Sequence, residues 1–329
     1  MLNQQILDKI LLHYIGIERL KAGAINRYLP LLSDADNEIL GLFSRSYNKG
    51  LAKQNEFIRR VKAIKTLAFG EFETALVAEL NELAIKEGKF VSNMMIGYYT
   101  SALANEANPK ILKELIKQEI RGITISEWIE DLKNTDIKRF IYAAKVAVSD
   151  GLTLAEASEG LQALNIKRDN HSKTVIRTLI HGISNKANGA VFKENSHLIK
   201  GVRLSVTFDN KTTPPCIKHS EENILYPVDD YPMPGFHPNC RSVAVVETKS
   251  WKELGAKNQG KVPETIRQSM DGGTPSTNTY GMWLKTQPSK IQDEVLGKRY
   301  GKEFRTGKYK ITKFIDPTGK FYTIKELFG

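Results

Sequence analysis

The most constraining feature of this 329-residue sequence is a mirrored pair of short motifs, C-I-K-H at residues 216–219 and H-P-N-C at residues 237–240. The motifs hold both cysteines of the chain, and 17 residues separate them. Each motif places two metal-ligating side chains on one tight turn, and two such turns brought together supply the four ligands of a tetrahedral zinc site. The spacing therefore predicts one zinc ion with four ligands: Cys216, His219, His237 and Cys240.

The segment around these motifs is rich in turn-forming residues, among them Thr213-Pro214-Pro215, Asp229-Asp230 and Pro234-Gly235. This composition predicts a loop rather than a helix. A loop that buries few apolar side chains usually needs a metal ion or a disulfide to stabilise it. Four protein ligands leave no coordination position for water, so we expect a structural zinc site rather than a catalytic one. The alternative is a disulfide between Cys216 and Cys240, although cysteines framed by histidines fit metal binding in a reducing compartment better.

The length of the chain allows two compact domains, and an apolar content of 41% supports a folded core. The sequence has no uncharged apolar run of the length that spans a membrane. Its first residues lack the positively charged N-terminal region and the cleavage site of a signal peptide. We therefore expect a protein that neither crosses a membrane nor is secreted, and that assembles in a cytoplasm.

Residues 1–165 are predicted to form a helical region, because apolar residues recur at three- and four-residue spacing. Start and stop signals such as Ser33, Gly88 and Pro109 divide this region into several helices. The predicted helices cover residues 2–15, 33–51, 71–86, 109–120, 126–132, 136–148 and 154–164.

The remaining sequence predicts a small α+β module. A helix over residues 171–192 leads into a strand with alternating pattern at 202–208, and a second short strand follows the metal motifs at 242–246. Residues 271–278 are predicted to be a loop. A final helix over 289–304 precedes a hairpin, whose arms 311–314 and 321–324 flank the turn Asp316-Pro317-Thr318-Gly319.

The predicted fold class is therefore α+β, with a mostly helical N-terminal region, a small α+β module that carries the metal-binding loop, and a C-terminal helix plus hairpin. The predicted domains are the helical region 1–165, a core with the metal motifs at 166–250, and a basic C-terminal part at 251–329.

The net charge of +11 is concentrated near the C-terminus, where residues 251–329 hold 15 basic and 8 acidic side chains. A local cationic excess attracts polyanions over long range, and basic side chains can neutralise DNA phosphates. The candidate DNA contacts are Arg241, Lys298, Arg299, Lys302, Arg305, Lys308 and Lys310. The interleaved aromatic residues Tyr300, Phe304 and Tyr309 either stack on bases or, in the simpler interpretation, pack inside while the lysines face solvent.

We expect no enzymatic activity. The chain has no glycine-rich phosphate loop. A zinc-dependent nuclease would need a histidine base near Asn239, but the other histidines fall in helical segments: His13, His171, His181 and His197. Asp209 is predicted to accept hydrogen bonds from the turn before Cys216. Arg241 is predicted to bind either a neighbouring carboxylate or a DNA phosphate.

Two blocks of residues occur in an order that points to a known family. The first comprises Arg177-Thr178, residues 199–203, Asp209, Thr212, Thr213, Cys216 and the run His237-Pro238-Asn239-Cys240-Arg241. The second comprises Y-G-M-W-L-K-T-Q-P at residues 280–288, Gln292, and V-L-G-K-R at residues 295–299. Together they resemble the signature of the phage Mu F-like family, the minor head morphogenesis proteins of tailed bacteriophages.

The resemblance covers residues 167–329, about half of the chain. The sequence departs from the family pattern at two places. Members often end the first block H-P-x-C-R-C and carry a second cysteine near the first one, whereas Ser242 and His219 stand at these places here.

The resemblance implies a minor head protein, present in few copies, that acts at the portal vertex in procapsid assembly, DNA packaging or ejection. The implied partners are the portal protein, the major capsid protein and packaged double-stranded DNA, with no membrane. The implied location is the virion, in the capsid interior or at the portal vertex, after assembly in the host cytoplasm. Residues 1–165 lie outside the resemblance and are predicted to dock on portal or capsid protein. The alternative function is a zinc-containing DNA-binding protein or nuclease that acts on phage DNA.

Overall fold

The structure, a computed structural model, describes residues 2–47, 51–99, 103–250, 252–254, 266–270, 272–275, 278–323 and 326. Helices fill its first part: α1 Leu2–Ser46, α2 Leu51–Tyr99, α3 Pro109–Glu114, α4 Ile125–Ser149 and α5 Leu154–Glu194. A 3-10 turn, Leu115–Lys117, continues α3. The fold is α+β and mostly helical, as predicted. Among the described residues, no helix combines the length and the apolar character needed to span a membrane.

Several helices that the sequence divides are continuous in the structure. α1 runs through Pro30, and α2 runs through Gly88, which the sequence predicts as a stop. Leu112 packs so closely on Gly88 that an added Cβ would lie 2.4 Å from a leucine methyl carbon. The glycine is therefore needed inside the helix for this contact. The predicted break before α5 is confirmed, because Asp150 caps α4 and Gly151 has a φ of 66°.

The same continuity affects the predicted domain boundary. α4 joins the predicted helices 126–132 and 136–148, and α5 joins 154–164 and 171–192. Residue 165 therefore lies inside an uninterrupted helix.

The chain forms two compact units that alternate along the sequence. Unit 1 comprises Met1–Gly16, Lys86–Leu112 and Ser184–Gly329, and unit 2 comprises Ile17–Ile85 and Lys113–Ile183. Residues of the predicted helical region thus belong to both units. The functional division at residues 165 and 250 stays a prediction, because compactness alone does not assign a role.

Unit 1 takes part of its buried polar structure from the helical region. The Nε2 atom of His13 lies 2.5 Å from one carboxylate oxygen of Glu87, and the hydroxyl of Ser184 donates to the other oxygen at 2.5 Å. Glu87 and Ser184 are both buried. A fragment that begins after residue 165 would therefore leave Ser184 without its carboxylate partner.

Unit 2 is organised around a buried network of charges. Lys65 donates to Asp36 and, at 2.6 Å, to Asp136, while Arg168 pairs with Asp36 and with Asp169. The side chains of Lys65, Asp36, Asp136 and Arg168 are each at most 7% exposed. Because α1, α2, α4 and α5 each contribute one of these four residues, the network fixes the helices relative to one another.

Unit 1 contains a two-stranded antiparallel sheet, β1 Ile199–Ser205 paired with β2 Val243–Thr248. Both predicted strands are confirmed, with β1 shifted three residues toward the N-terminus. Val202 also forms a bridge with Tyr226. Gly201 permits this close approach, because a Cβ there would lie 2.7 Å from the Tyr226 carbonyl oxygen.

The predicted loop over 271–278 is partly wrong, because β3 Ile266–Ser269 and β4 Gly272–Pro275 form an antiparallel hairpin. The sequence G-G-T-P indicates turns by composition, but backbone pairing to β3 supplies hydrogen bonds that residue type does not predict. Met270 N donates to the Phe208 carbonyl at 2.9 Å and so ties this hairpin to the rest of unit 1. Asp271, Ser276 and Thr277 lie outside the described residues.

The predicted helix over 289–304 is two helices, α8 Ser289–Leu296 and α9 Lys298–Arg305, after α7 Tyr280–Thr286. Gly297 separates them with φ 78° and ψ 153°, a conformation that a helix cannot contain. The predicted turn at residues 316–319 is present, with Gly319 N donating to the Asp316 carbonyl at 3.0 Å. Among the residues that the structure describes here, strand pairing beside the turn is the Ile315–Phe321 bridge, and Ile311–Phe314 is a 3-10 turn rather than a strand. The predicted strand end at Ile324 lies outside the described residues.

The core of this C-terminal part joins the metal motifs to the second block of the resemblance. Trp283 is 3% exposed and Leu284 is fully buried, so both are core residues. The side-chain amide of Gln292 donates to the carbonyls of Leu284 and Gln287 at 3.1 and 3.0 Å, which fixes α8 against the end of α7. The buried cluster comprises Val206, Phe208, Cys216, Ile217, Cys240, Tyr280, Trp283, Leu284, Leu296, Tyr300, Phe304, Ile311, Phe314 and Ile315.

Candidate metal centre

The first metal motif lies on a short helix, α6 Pro214–Glu222. The prediction of a loop is wrong here, because Pro214 and Pro215 occupy the first helical positions, where a fixed φ and a missing N–H favour the helix. Thr213 is the N-cap residue, and Asn223 ends the helix in the left-handed conformation with a φ of 44°. The helix places Cys216, 3% exposed, within the core cluster.

The second motif, H-P-N-C, is a β-turn. Cys240 N donates to the His237 carbonyl at 3.1 Å, and Asn239 has a φ of 59°. Proline followed by a residue of positive φ is typical of a type II turn, and asparagine tolerates the left-handed region. The turn places His237 and Cys240 at its two ends, and β2 begins three residues later at Val243.

Three of the four predicted ligands come together. Cys216 Sγ lies 3.1 Å from His237 Nε2 and 3.8 Å from Cys240 Sγ. The ligand atoms of these three residues all lie within 4.8 Å of one another, so the group can hold a metal ion. Two sulfurs on a tetrahedral zinc with bonds of about 2.3 Å lie about 3.8 Å apart, which the observed separation matches. The same separation is far longer than a disulfide bond of about 2.05 Å.

His219 lies one turn further along α6 but outside this group. Its ring packs on Phe236 with the ring centroids 4.2 Å apart, and its Nδ1 lies 3.8 Å from a carboxylate oxygen of Glu222. Burial lowers the pKa of His219, while the charge of Glu222 acts in the opposite direction. The structure therefore assembles Cys216, His237 and Cys240 and leaves the fourth predicted ligand apart.

Hydrogen bonding orients His237 for metal binding. When its Nδ1–H donates to the Pro238 carbonyl at 2.8 Å, the lone pair of Nε2 faces Cys216. Metal-binding histidines usually have such a second contact, which fixes the tautomer and the ring. The neighbouring thiol of Cys240 and burial raise the pKa of Cys216. Metal binding must therefore displace a proton from Cys216.

Asp209 and Arg241 form a bidentate ion pair beside the group. Arg241 donates through Nη1 to Oδ2 at 2.5 Å and through Nη2 to Oδ1 at 2.9 Å. Asp209 also accepts from the Lys211 backbone N–H at 2.9 Å and from the Thr212 hydroxyl at 3.1 Å, the turn contacts that the sequence predicts. Burial tends to raise the pKa of Asp209, but the hydrogen bonds and charge of Arg241 lower it below the usual value. Of the two predicted partners of Arg241, the carboxylate is the one it contacts.

The predicted DNA contacts of the C-terminal part lie on the surface. The exposed residues are Lys298, Arg299, Lys302, Arg305, Lys308 and Lys310. Arg305 also pairs with Asp293 at 2.7 Å. Tyr300 and Phe304 are buried, and Tyr309 is partly buried against Phe314. The simpler interpretation therefore holds for these aromatic residues, which pack inside while the basic residues face solvent.

The spacing of the metal motifs does not predict two sets of contacts at the site. Ser242 donates to Cys216 Sγ at 3.1 Å. On α6, Ser220 and Glu221 accept from the first N–H groups of α7, those of Tyr280 and Gly281, at 3.0 and 2.6 Å. These contacts depend on residues that are distant in sequence, so local spacing gives no indication of them.

Comparisons with protein-family models, curated proteins and solved structures find no match for this chain.

Proposed function

We propose that this chain is a minor head protein of a tailed bacteriophage, and that a zinc ion bound by Cys216, His237 and Cys240 stabilises its C-terminal half. The observation that carries the proposal is the meeting of these three side chains, since they belong to the motif on which the resemblance depends. The donor set supports zinc, because two thiolates and one imidazole form a typical zinc environment.

A zinc ion here would connect α6 to the turn before β2. Cys216 lies on α6, whereas His237 and Cys240 lie on the turn before β2. Between these motifs, the described residues 223–236 form no helix or strand longer than a single bridge. The binding free energy of a structural zinc is available for folding, because the unfolded chain does not hold the ligands together.

Elemental analysis of protein purified without chelator tests the zinc proposal. We expect one zinc per chain in the wild type and in the control variant His197→Ala. His197 is an exposed histidine of unit 1 whose Nε2 lies 2.7 Å from the Leu103 carbonyl oxygen. His237→Ala should lower zinc affinity by at least about tenfold, because it removes a ligand. A wild-type protein without zinc, or a His237→Ala variant with unchanged affinity, would refute the proposal.

The proposed role in the virion is supported by the order of the two sequence blocks and by their common core. Trp283 and Leu284 of the second block pack in the same cluster as Cys216 and Cys240 of the first. A shared core explains why both blocks occur together, but the role at the portal vertex comes from the resemblance. We propose that the protein acts there in procapsid assembly, DNA packaging or ejection, and that residues 1–165 dock on portal or capsid protein.

Cross-linking mass spectrometry of intact procapsids that contain the full chain tests this role. Deleting residues 1–165 is unsuitable, because unit 1 includes residues 1–16 and 86–112. We expect few copies per particle and cross-links from lysines of unit 2 to portal or capsid protein. Absence from purified particles would refute the virion role. Cross-links confined to residues 184–329 would place the docking surface elsewhere.

A second candidate activity is electrostatic contact with packaged DNA, favoured by the exposed face of α9. Lys298, Lys302 and Arg305 follow the spacing of one helix face, while Tyr300 and Phe304 are buried. The face is therefore cationic on the side that solvent reaches. Arg241 is not part of this face, because it lies before β2 rather than on α9 and its guanidinium forms the bidentate pair with Asp209.

Neutralising this face tests the DNA proposal. A variant with glutamine at the three basic residues of this face and at the neighbouring exposed Arg299 should bind DNA more weakly than the wild type, by the same factor for unrelated sequences. The slope of log affinity against log salt should fall by about 0.9 for each DNA phosphate that the variant no longer neutralises. The matched control carries glutamine at the same number of exposed basic residues elsewhere, Arg59, Arg60, Lys62 and Lys89. Equal losses of affinity in both variants would indicate a general charge effect and refute the assignment to α9.

A further inference from the structure

The three clustered ligands leave the fourth coordination position of the proposed zinc unfilled, and a small cavity lies next to these ligands. The cavity, of about 10 Å³, is lined by Cys216, His237, Ser242, Thr207, Lys211 and Arg241. This is the room that one water molecule needs. Two of the three clustered ligands line it, so the cavity borders the place where the metal would lie.

The protein offers no clustered fourth ligand on this side among the residues that the structure describes. His219 belongs to the predicted set, but its ring packs on Phe236 and lies outside the group of ligand atoms. Ser242 is close, with its hydroxyl 3.1 Å from Cys216 Sγ. A neutral hydroxyl is not one of the thiolate, imidazole or carboxylate donors that hold zinc in proteins. Its position instead suits a hydrogen bond to a sulfur ligand, which tunes the metal without closing the shell.

The charges around the cavity favour an anion over a cation. Two thiolates balance the charge of a divalent zinc, and Asp209 balances Arg241 through the bidentate pair. Lys211, an exposed residue that lines the cavity, adds one positive charge. A monodentate anion entering the cavity therefore meets a net positive environment.

We propose that Cys216, His237 and Cys240 hold zinc with an open fourth position, which takes water or a small monodentate anion from the cavity. This inference rests on the proposed zinc site. The residue at position 242 determines whether the fourth coordination position stays open. A cysteine there would bring a thiolate to within ligand distance of the other donors. With Ser242 at this position, the fourth ligand of the zinc can exchange between water and an anion.

Visible spectroscopy of the cobalt-substituted full-length protein, titrated with sodium azide, tests the proposal. Cobalt(II) reports on its ligands through its ligand-field bands, and a donor that enters an open position changes those bands. We expect a saturable spectral change in the wild type. His219→Ala should bind cobalt equally and give the same titration curve, because the half-buried His219 is not a ligand. Circular dichroism checks that this variant is folded.

Ser242→Cys provides the opposite expectation. It should bind cobalt, show stronger sulfur-to-cobalt absorption, and lose the response to azide, because a third thiolate closes the shell. A wild type that ignores azide while His219→Ala responds to it would show that His219 is the fourth ligand and would overturn the proposal. A wild type that binds neither cobalt nor zinc would instead refute the zinc site itself, and the open position with it.

Discussion

Replacing Lys65 by methionine tests how much the buried charge network stabilises the packing of the helices in unit 2. Methionine keeps most of the side-chain volume but removes the ammonium group between Asp36 and Asp136. Asp36 retains Arg168, whereas Asp136 loses a partner 2.6 Å away. Burial raises the pKa of Asp136 and lowers the pKa of Lys65, and the attraction between the two opposes both shifts. Each charge is therefore tolerated inside because of the other.

The expected loss of stability follows from these contacts. At an effective dielectric constant of about 20, two unit charges separated by the 2.6 Å of Lys65 and Asp136 attract by about 6 kcal/mol. Part of this attraction offsets the desolvation of Lys65, which the methionine no longer has to bear. Breaking a buried pair by removing one partner costs about 3 to 5 kcal/mol, and we expect Lys65→Met to fall in this range.

Urea unfolding followed by far-ultraviolet circular dichroism measures the change in the free energy of unfolding. Lys62→Met is the matched control, because Lys62 is exposed and lies one turn earlier on α2. It should change stability by no more than about 0.5 kcal/mol. Adding Asp136→Asn to Lys65→Met should recover part of the loss, since the orphaned carboxylate is then removed.

The pH dependence gives a further check on the same variant. Without Lys65, the raised pKa of Asp136 in the folded protein rises further above its ordinary value of 3.8. A raised carboxyl pKa costs stability as pH increases above the unfolded value, so the deficit of Lys65→Met should be smaller near that value than at neutral pH. A destabilisation below about 1 kcal/mol, or no recovery in the double variant, would refute the idea that this network stabilises unit 2.

Other predictions concern unit 1, with one comparison variant in unit 2. Asp209→Asn should cost about 1.5 to 3 kcal/mol at neutral pH, because Arg241 loses a charged partner. Since the pKa of Asp209 is lowered on folding, its contribution is complete above the ordinary value of 3.8 and is lost as pH falls through the folded pKa. Wild type and variant should therefore converge in acid, and a gap in urea stability that stays constant with pH would contradict this. Gly297→Ala should cost about 1 to 3 kcal/mol, because its φ of 78° and ψ of 153° suit glycine alone. Gly160→Ala, at an exposed position inside α5, should instead stabilise by about 0.5 to 1 kcal/mol in thermal unfolding. Equal effects of the two glycine variants would show that backbone conformation is not the cause.

Much of the fold was predictable from periodicity, but the ends of the elements were not. The apolar spacing predicts a helical region over residues 1–165, the alternating pattern predicts β1, and the short run at 242–246 predicts β2. Gly88 predicts a stop because glycine weakens a helix locally. The contact of Leu112 with Gly88 outweighs that preference, and it joins residues that are distant in sequence. The organisation into two alternating units likewise depends on distant contacts.

The candidate site was predictable to the extent that its geometry is local. His237 and Cys240 lie within one turn, so their spacing alone places them together. Cys216 could be added because the chain has so few cysteines. His219 follows Cys216 by one helical turn, but whether its ring joins the group depends on its packing against Phe236. Ser242 enters through a contact that spacing does not reveal.

X-ray absorption spectroscopy at the zinc edge, on full-length protein purified without chelator, tests the proposed zinc site most directly. It reports in one measurement whether zinc is present and which atoms surround it. We expect two sulfurs at about 2.3 Å, from Cys216 and Cys240, and nitrogen or oxygen donors at about 2.0 to 2.1 Å, one of them from His237. A zinc shell without sulfur, or a folded protein without zinc, would contradict the proposed site.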